Sequence, residues 1–176
     1  GWLGMNYRKM TPAVILAFEE VCRQLPGVTL LIHAQTGDEK LPPFIQKSIR
    51  ENERITYREE TLPAPGLYHK GKILLFPTKL EGLGLPLFEA LASGLPVIVT
   101  DAPPMNEFIR NWYNGLAVKV AKNVIRQDNI AFPETIISVN DLVNKMVTLA
   151  EDPQKTKHLG SNARAYAQKE LNLESF

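Results

Sequence analysis

Two glutamates separated by seven residues, Glu81 and Glu89, border a glycine-containing loop and are the residues best suited to chemistry in this sequence. Gly82 and Gly84 lie between them, and glycine lets the backbone approach a ligand closely because it has no Cβ atom. Pro86 favours the first turn of a helix, and the free backbone amides at a helix start attract anions. The segment therefore predicts an anion site suited to a diphosphate, with a carboxylate on either side.

The two carboxylates are expected to serve different ends of one ligand. Glu89 is predicted in the first turn of the helix that Pro86 opens, with its side chain leaning back toward the helix N-terminus. A carboxylate accepts two hydroxyl hydrogen bonds at once, which suits it to a ribose diol. Glu81, in the loop, can face the other end of the ligand. The alternative interpretation is that both acids only stabilise the positive end of a helix dipole.

Basic and polar residues at the ends of predicted elements are further candidates for this site. Lys9 directly precedes a predicted helix start at Thr11, where free amides add to its positive charge. His33 ends a predicted strand and Arg58 follows the next one. In open α/β sheets the ligand crevice lies beyond the carboxyl ends of the strands, which is where such residues fall. The simpler interpretations are a solvated lysine and an ordinary histidine at a strand end.

Strands and helices alternate along the chain, and this order predicts an α/β domain with a doubly wound parallel sheet. Apolar residues at spacings of three and four predict a first helix, capped by the Thr11 hydroxyl and ended by Pro26 and Gly27. Gly94 is predicted to be the left-handed cap of the helix that contains Glu89. The remaining predictions are helices at residues 43–53, 86–93, 140–150 and 153–170, strands at 2–4, 28–32, 54–57, 72–76, 97–100 and 115–118, and an irregular insertion at 119–134.

The bulk composition fits one globular domain of 176 residues, with 44% hydrophobic and 22% charged residues. A net charge of +1 gives no general attraction to nucleic acid. The single Cys22 excludes an internal disulfide, no Cys/His cluster suggests a metal, and a cytoplasmic setting is expected. The longest apolar runs have the length of a strand and not of a membrane span. The sequence does not begin with Met, so a piece of a longer protein is expected.

Residues 81–98 resemble the signature of the family 4 (group 1) retaining glycosyltransferases. That signature is two glutamates separated by seven residues, followed by Ala-x-Ala-x-Gly-x-Pro-Val-Ile; Glu81 and Glu89 occupy the two acidic positions and residues 90–98 complete the match. The resemblance extends through residues 74–78, 106–109, 114–116, 151–153 and 159–164. It implies a Rossmann-like domain that forms one half of a GT-B type two-domain enzyme. Residues 1–176 are then the C-terminal, donor-binding domain, with the N-terminal acceptor domain absent.

The resemblance also implies a role for each matching residue. The glutamate matching Glu89 holds the ribose hydroxyls. The glutamate matching Glu81 is the catalytic candidate, because it lies against the donor sugar and orients hydroxyls or stabilises positive charge at the anomeric carbon. Backbone amides matching Gly84 and Leu85 contact the sugar and phosphate, and the lysine matching Lys9 contacts the diphosphate. The family requires neither a metal nor another cofactor, and this sequence has no Asp-x-Asp motif.

The sequence departs from the family pattern near Lys9. The family arginine six residues before the lysine falls on Leu3, so its contact is missing or is supplied by Arg8. Met10 stands where glycine or asparagine is usual. These departures leave the source of the second phosphate-binding cation open.

Transfer of a hexose from a UDP- or GDP-sugar, with retention at the anomeric carbon, is the predicted function. His33, where the family often has glycine, and Arg58, where nucleobase contacts occur, are further donor-binding candidates. A carbohydrate or lipid-linked acceptor is expected to bind through the missing N-terminal domain, and peripheral membrane association of the full-length protein stays open. The isolated domain is expected to bind donor without turning it over.

Two alternatives come from other functional classes. A nucleotide-sugar epimerase of similar fold also holds a diphosphate between two halves, but it needs a pair of catalytic acids in a partner domain. A non-enzymatic α/β module, such as a receiver-like signalling domain, needs clustered aspartates at the end of the first strand. Residues 4–6 contain none.

Overall fold

The computed structural model describes residues 8–35, 37–64, 66–126 and 133–171. The strand predicted at residues 2–4, and Leu3 with it, lies outside the described residues. Within the described part of the chain, no helix combines the length and the apolar character that crossing a membrane requires.

The described residues form five α-helices and seven strands, which alternate over much of the first hundred residues as the sequence predicts. The helices are α1 (Thr11–Gln24), α2 (Pro43–Glu51), α3 (Leu85–Ala92), α4 (Val139–Glu151) and α5 (Pro153–Glu170). The strands are β1 (Leu30–Ala34), β2 (Ile55–Glu59), β3 (Leu74–Phe76), β4 (Val97–Thr100), β5 (Gly115–Val118), β6 (Val120–Ile125) and β7 (Pro133–Ile137).

The first five of these strands pair in parallel. β1 pairs with β2, and β3, β4 and β5 form a three-stranded sheet with β4 in the middle. β4 and β5 are buried along their whole length and coincide with the predicted ranges. Strands covered on both faces are apolar throughout rather than alternating, which is why their sequences locate them so well.

Helices cover both faces of the three-stranded sheet. From β4, Ile98 points into an apolar cluster with α1 and α4, whereas Val97 and Val99 point into a second cluster with α3 and α5. β5 alternates in the same way, with Leu116 in the first cluster and Ala117 in the second. This arrangement confirms the predicted doubly wound α/β fold.

The start of α1 differs from the prediction in its cap. Thr11 is the first helical residue rather than the capping residue, and Met10 occupies the cap with no side-chain hydrogen bond. Pro12 lies in the first turn, where its fixed φ suits a helix start and its missing N–H removes no intrahelical bond. The first turn therefore depends on Pro12 and on the burial of Met10 and Thr11, and the predicted capping hydroxyl is wrong.

The segment at 119–134 was expected to be an irregular insertion. Residues 127–132 of that range lie outside the described residues, and for the rest of it the prediction is wrong. β6 and β7 form an antiparallel ribbon in which Val124 pairs with Glu134 and Asn123 with Thr135. Four of the six β6 residues are exposed, so no apolar face gives the sequence a period of two. Backbone pairing, which leaves no sequence signal, holds the ribbon together. The amide of Thr135 also donates to the carbonyl of Lys79, 2.8 Å away, and joins the ribbon to the loop after β3.

α5 approaches the end of α3 through two glycines. Gly94 has φ +75°, the predicted left-handed conformation. A Cβ atom on Gly160 of α5 would lie 2.4 Å from the Gly94 carbonyl oxygen and 3.5 Å from Cδ of Pro96. Backbone cannot move aside as a flexible side chain can, so glycine at position 160 sets the distance between the two elements.

We expect Gly160→Ala to lower the free energy of unfolding by about 1–3 kcal/mol, the range for overpacking a tight contact. The overlap with Gly94 outweighs the gain of about 1 kcal/mol in helix propensity. Urea unfolding measures the change. The neighbouring exposed position provides the control, since Ser161→Ala should change the stability by no more than about 0.5 kcal/mol. A Gly160→Ala protein as stable as the wild type would show that α5 can shift at no cost.

Candidate functional site

The candidate site lies at the carboxyl end of β3, where residues 8–10 run beside the loop that follows the strand. Lys9 forms an isolated antiparallel bridge with Thr78. The Met10 amide donates to the Pro77 carbonyl at 3.2 Å, and the Lys79 amide donates to the Arg8 carbonyl at 2.8 Å. These bonds fix the backbone of Lys9 against the strand end.

Thr100, at the carboxyl end of β4, holds the same loop from the other side. Its buried Oγ1 accepts a hydrogen bond from the Thr78 amide at 2.9 Å and donates to the Thr78 carbonyl at 2.7 Å. Both backbone polar groups of Thr78 are thus satisfied inside the protein, as buried groups must be. The site therefore rests on two strand ends and not on a loose loop.

Lys9 and Glu81 form an ion pair in this site. The Lys9 Nζ atom contacts Glu81 Oε2, and the two side chains are only 10% and 12% exposed. The Lys9 ammonium also lies over the Phe76 ring, 4.4 Å from its centre, where the negative ring face favours a cation. The other Glu81 oxygen accepts from the Gly82 amide at 3.2 Å. Two candidates 72 positions apart in sequence are thus in direct contact.

The start of α3 brings the predicted glycine loop next to this pair. Gly84 occupies the N-cap with φ +77°, and its missing side chain leaves room for Met105, whose Cε atom would lie 2.5 Å from a Cβ. Leu85, the first helical residue, is 61% exposed. The first amides of a helix have no partner within the helix, so this end of α3 offers donors and a positive dipole end to an anion.

Glu89 was expected in the first turn of its helix, but it lies in the second turn of α3. The helix begins at Leu85, one residue before the predicted start, because Gly84 adopts the left-handed conformation that serves as the cap. Glu89 is therefore the fifth helical residue. Its side chain is exposed, and its Oε2 atom accepts a hydrogen bond from the Tyr68 hydroxyl at 2.5 Å.

Tyr68 is a residue that the sequence reasoning missed. It begins a short 3-10 turn at Tyr68–Lys70, and its ring packs against the cluster between the sheet, α3 and α5. Burial and then the hydrogen bond and charge of Glu89 raise the pKa of Tyr68 above its ordinary value. The hydroxyl is therefore a donor over the whole physiological range. No motif or period marks Tyr68, because its contact with Glu89 depends on how the turn folds back onto α3.

His33 and Arg58 form a second polar group. They are directly opposite each other in the β1–β2 pair. Arg58 was expected to follow a strand, but it lies inside β2, because β2 continues two residues beyond the predicted end. Glu60 joins them, because its carbonyl is 2.9 Å from His33 Nε2 and its carboxylate oxygen 2.7 Å from Arg58 Nε. The structure thus brings these two candidates together at the carboxyl ends of β1 and β2.

Within the described ranges, no group of three or more His, Cys, Asp or Glu side chains is arranged to hold a metal ion. The acidic residues of the candidate site instead have a cation or a hydroxyl as their partner. Glu81 contacts Lys9, and Glu89 contacts Tyr68.

Fold and site together define a doubly wound α/β domain with acidic and basic side chains at the carboxyl ends of its parallel strands. The family model for group 1 glycosyl transferases matches residues 5–166. The chain belongs to the group 1 glycosyltransferase family.

One relative and two solved structures illustrate the similarity. The chain is 30% identical over 129 residues to the GtfA subunit of UDP-N-acetylglucosamine–peptide N-acetylglucosaminyltransferase from Streptococcus agalactiae, a match covering 72% of this chain and 25% of that protein. The C-terminal domain of the group 1 protein LpcC from Francisella tularensis has a TM-score of 0.73 at 19% identity, covering 93% of this chain and 80% of that one. Anabaena Alr3699/HepE in complex with UDP-glucose has a TM-score of 0.72 at 20% identity, covering 94% of this chain and 42% of that one.

These comparisons confirm the Rossmann-like α/β fold and its likeness to a C-terminal glycosyltransferase domain. The chain matches about a quarter of the length of the GtfA subunit.

We expect the Lys9–Glu81 pair to be strongly coupled in a double-mutant cycle of Lys9→Met and Glu81→Gln. Each single change leaves a nearly buried charge or dipole without its partner, whereas the double change removes both charges. The coupling free energy should be about 1–3 kcal/mol, measured by urea unfolding. The exposed pair Arg23–Glu20 is the control, and its coupling should stay below about 1 kcal/mol. Additive effects at Lys9 and Glu81 would contradict a structural ion pair.

Proposed function

We propose that this chain is the C-terminal, donor-binding domain of a retaining glycosyltransferase that transfers a hexose from a nucleotide diphosphate sugar. The observation that carries the proposal is the nearly buried Lys9–Glu81 pair beside the glycine-capped start of α3. A cation, an acid and a helix start at one strand end match the needs of a diphosphate sugar without a metal.

The diphosphate is proposed to bind between Lys9 and the amides of Gly84 and Leu85. In a site of low dielectric constant a lysine ammonium interacts with phosphate oxygens far more strongly than in water. The same groups stabilise the charge that develops on the leaving diphosphate, the task that a metal ion performs in other transferases. Arg8 is proposed to supply the second cation in place of the family arginine, since its backbone is fixed against Lys79.

Glu81 is proposed to act at the donor sugar. Before a ligand enters, its carboxylate is held by Lys9 and by the Gly82 amide; once Lys9 turns to the phosphates, the Gly82 amide is proposed to keep holding it. In that position it orients sugar hydroxyls and stabilises positive charge at the anomeric carbon. An interaction that strengthens as charge develops contributes to rate rather than only to binding.

Glu89 is proposed to hold the ribose diol, and the group of His33 and Arg58 is proposed to contact the nucleobase. Glu89 is exposed on α3, about 6 Å along the helix axis from Leu85 at 1.5 Å per residue. That separation between the phosphate-binding end of the helix and the carboxylate suits a nucleoside diphosphate. His33 and Arg58 are directly opposite each other at the ends of parallel strands, where nucleotide crevices form.

The known complexes support a nucleotide sugar as the partner. Anabaena HepE was solved in complex with UDP-glucose, and the pneumococcal GtfA in complex with UDP and GlcNAc. By analogy we propose a UDP- or GDP-hexose as donor, with neither a metal nor another cofactor. We further propose that a carbohydrate or lipid-linked acceptor binds through an N-terminal domain, that the whole enzyme acts in the cytoplasm, and that this domain alone does not turn over the donor.

We expect Glu89→Ala to weaken the binding of a nucleoside diphosphate by about 1.5–3 kcal/mol, the range for hydrogen bonds to a charged group. The loss should be much smaller for the 2′,3′-dideoxy analogue, because the diol is the proposed partner. Isothermal titration calorimetry with both ligands measures the difference. Equal losses for the two ligands would remove Glu89 from the ribose site.

Glu81→Gln separates the sugar role from the phosphate role. We expect this change to leave nucleoside diphosphate binding intact or tighter, because Lys9 loses its competing counterion. In the complete enzyme it should lower kcat more than it raises KM, since the lost charge acts mainly in the transition state. Steady-state kinetics and calorimetry measure the two effects. A well-folded Glu81→Gln enzyme with wild-type turnover would show that Glu81 has only a structural role.

A further inference from the structure

The hydrogen bond between Tyr68 and Glu89 is separate from the contacts proposed for the nucleotide sugar. We propose that Tyr68 is a positioning residue, whose hydroxyl holds the Glu89 carboxylate in the orientation that receives the ribose diol. This inference rests on the proposed function, because it assigns a purpose to Tyr68 only if Glu89 binds ribose.

The geometry of Tyr68 suits this purpose. Its ring is anchored in the apolar cluster beside α3, and its hydroxyl reaches Glu89 Oε2 at 2.5 Å. The two residues are 21 positions apart, so the contact joins the 3-10 turn before β3 to the second turn of α3. A ring with one buried side and a polar tip is well suited to hold a neighbour, since few torsions are free.

Glu89 needs such a partner because it is exposed. A glutamate side chain has several rotatable bonds, and ordering it when a ligand binds opposes binding. A carboxylate has about four lone-pair positions. The Tyr68 hydroxyl uses one of them on Oε2, and three remain for the two hydroxyls of a diol. Tyr68 therefore orders Glu89 in advance without filling its acceptor capacity.

The protonation state of Tyr68 favours the same role. Burial, followed by the hydrogen bond and charge of Glu89, raises the pKa of Tyr68 above its ordinary value. The hydroxyl thus stays protonated and donates to Glu89 throughout the range in which the carboxylate is ionised.

The first test compares ribose and dideoxyribose ligands on the whole chain. UDP, GDP and ADP are titrated by calorimetry, and the tightest binder is used together with its 2′,3′-dideoxy analogue. Tyr68→Phe, which keeps the ring, should weaken binding of the ribose ligand about 3- to 10-fold, as expected for one lost hydrogen bond. It should leave the dideoxy analogue within about 2-fold, and it should have no further effect in a Glu89→Ala background.

Tyr166→Phe is the matched control. Tyr166 lies in the same apolar cluster, but its ring contacts the Arg110 guanidinium. Removing its hydroxyl should leave both affinities unchanged. Equal weakening of both ligands by Tyr68→Phe, or an undiminished effect in the Glu89→Ala background, would overturn the positioning role.

A second measurement follows the hydrogen bond without any nucleotide. NMR of ring-labelled tyrosine should show the pKa of Tyr68 above the ordinary value, and Glu89→Gln should lower it because the neighbouring negative charge is gone. Burial, the larger cause, should keep it elevated even then. A Tyr68 pKa that is the same in the wild type and in Glu89→Gln would overturn the inference.

The calorimetry separates failure of the inference from failure of the proposed function. If none of the three diphosphates binds the wild type, both the proposed function and the inference are wrong. If one of them binds and Tyr68→Phe binds it equally well, only the inference is wrong.

Discussion

The ion pair between Lys9 and Glu81 is the interaction on which the arrangement of the site depends. It connects the residues before α1 to the loop after β3, two segments that otherwise meet through a short backbone bridge at Thr78. Both side chains are nearly buried, and a buried charge without a partner destabilises a protein by several kcal/mol. The pair therefore helps to fix the loop that leads to α3, together with the hydrogen bonds between Thr78 and Thr100; α3 itself, and with it Glu89, is held by its buried residues Leu87 and Leu91.

Because Glu81 neutralises Lys9, a ligand that binds Lys9 must first displace the Glu81 carboxylate. A diphosphate that binds Lys9 competes with Glu81 for the same ammonium. The ligand brings more negative charge than one carboxylate and also reaches the amides at the start of α3, so it can replace Glu81 at modest net electrostatic cost. In the proposed mechanism Lys9 turns to the phosphates, which leaves the charge of Glu81 less neutralised. Glu81 would then interact more strongly with positive charge that develops at a sugar, so phosphate binding and the proposed action of Glu81 would be coupled through Lys9.

The sequence predicts elements well where burial or a special residue determines them. β4 and β5 are buried along their whole length and, apart from Thr100, apolar, so their predicted ranges agree with the structure; Gly94 marks the end of α3. The β6–β7 ribbon was missed because exposed, polar strands paired through their backbones have no hydrophobic period. Within the site, the spacing of Glu81 and Glu89 was informative because a motif preserves it. The helical turn that contains Glu89 is predicted wrongly, because the sequence does not show that Gly84 is the N-cap of α3. The ends of a helix are its least predictable part.

Each acid of the motif has a partner that the motif does not contain. Lys9 lies 72 positions before Glu81, and Tyr68 lies 21 positions before Glu89. The spacing of the acids fixes only that one lies in the loop and the other on the helix; the direction of each carboxylate is fixed by its partner. A side chain with several free torsions cannot serve as a precise hydrogen-bond acceptor unless something else orders it. The fold orders the two carboxylates by bringing Lys9 to the end of β3 and Tyr68 to the side of α3. The site therefore depends on long-range topology as much as on the local motif.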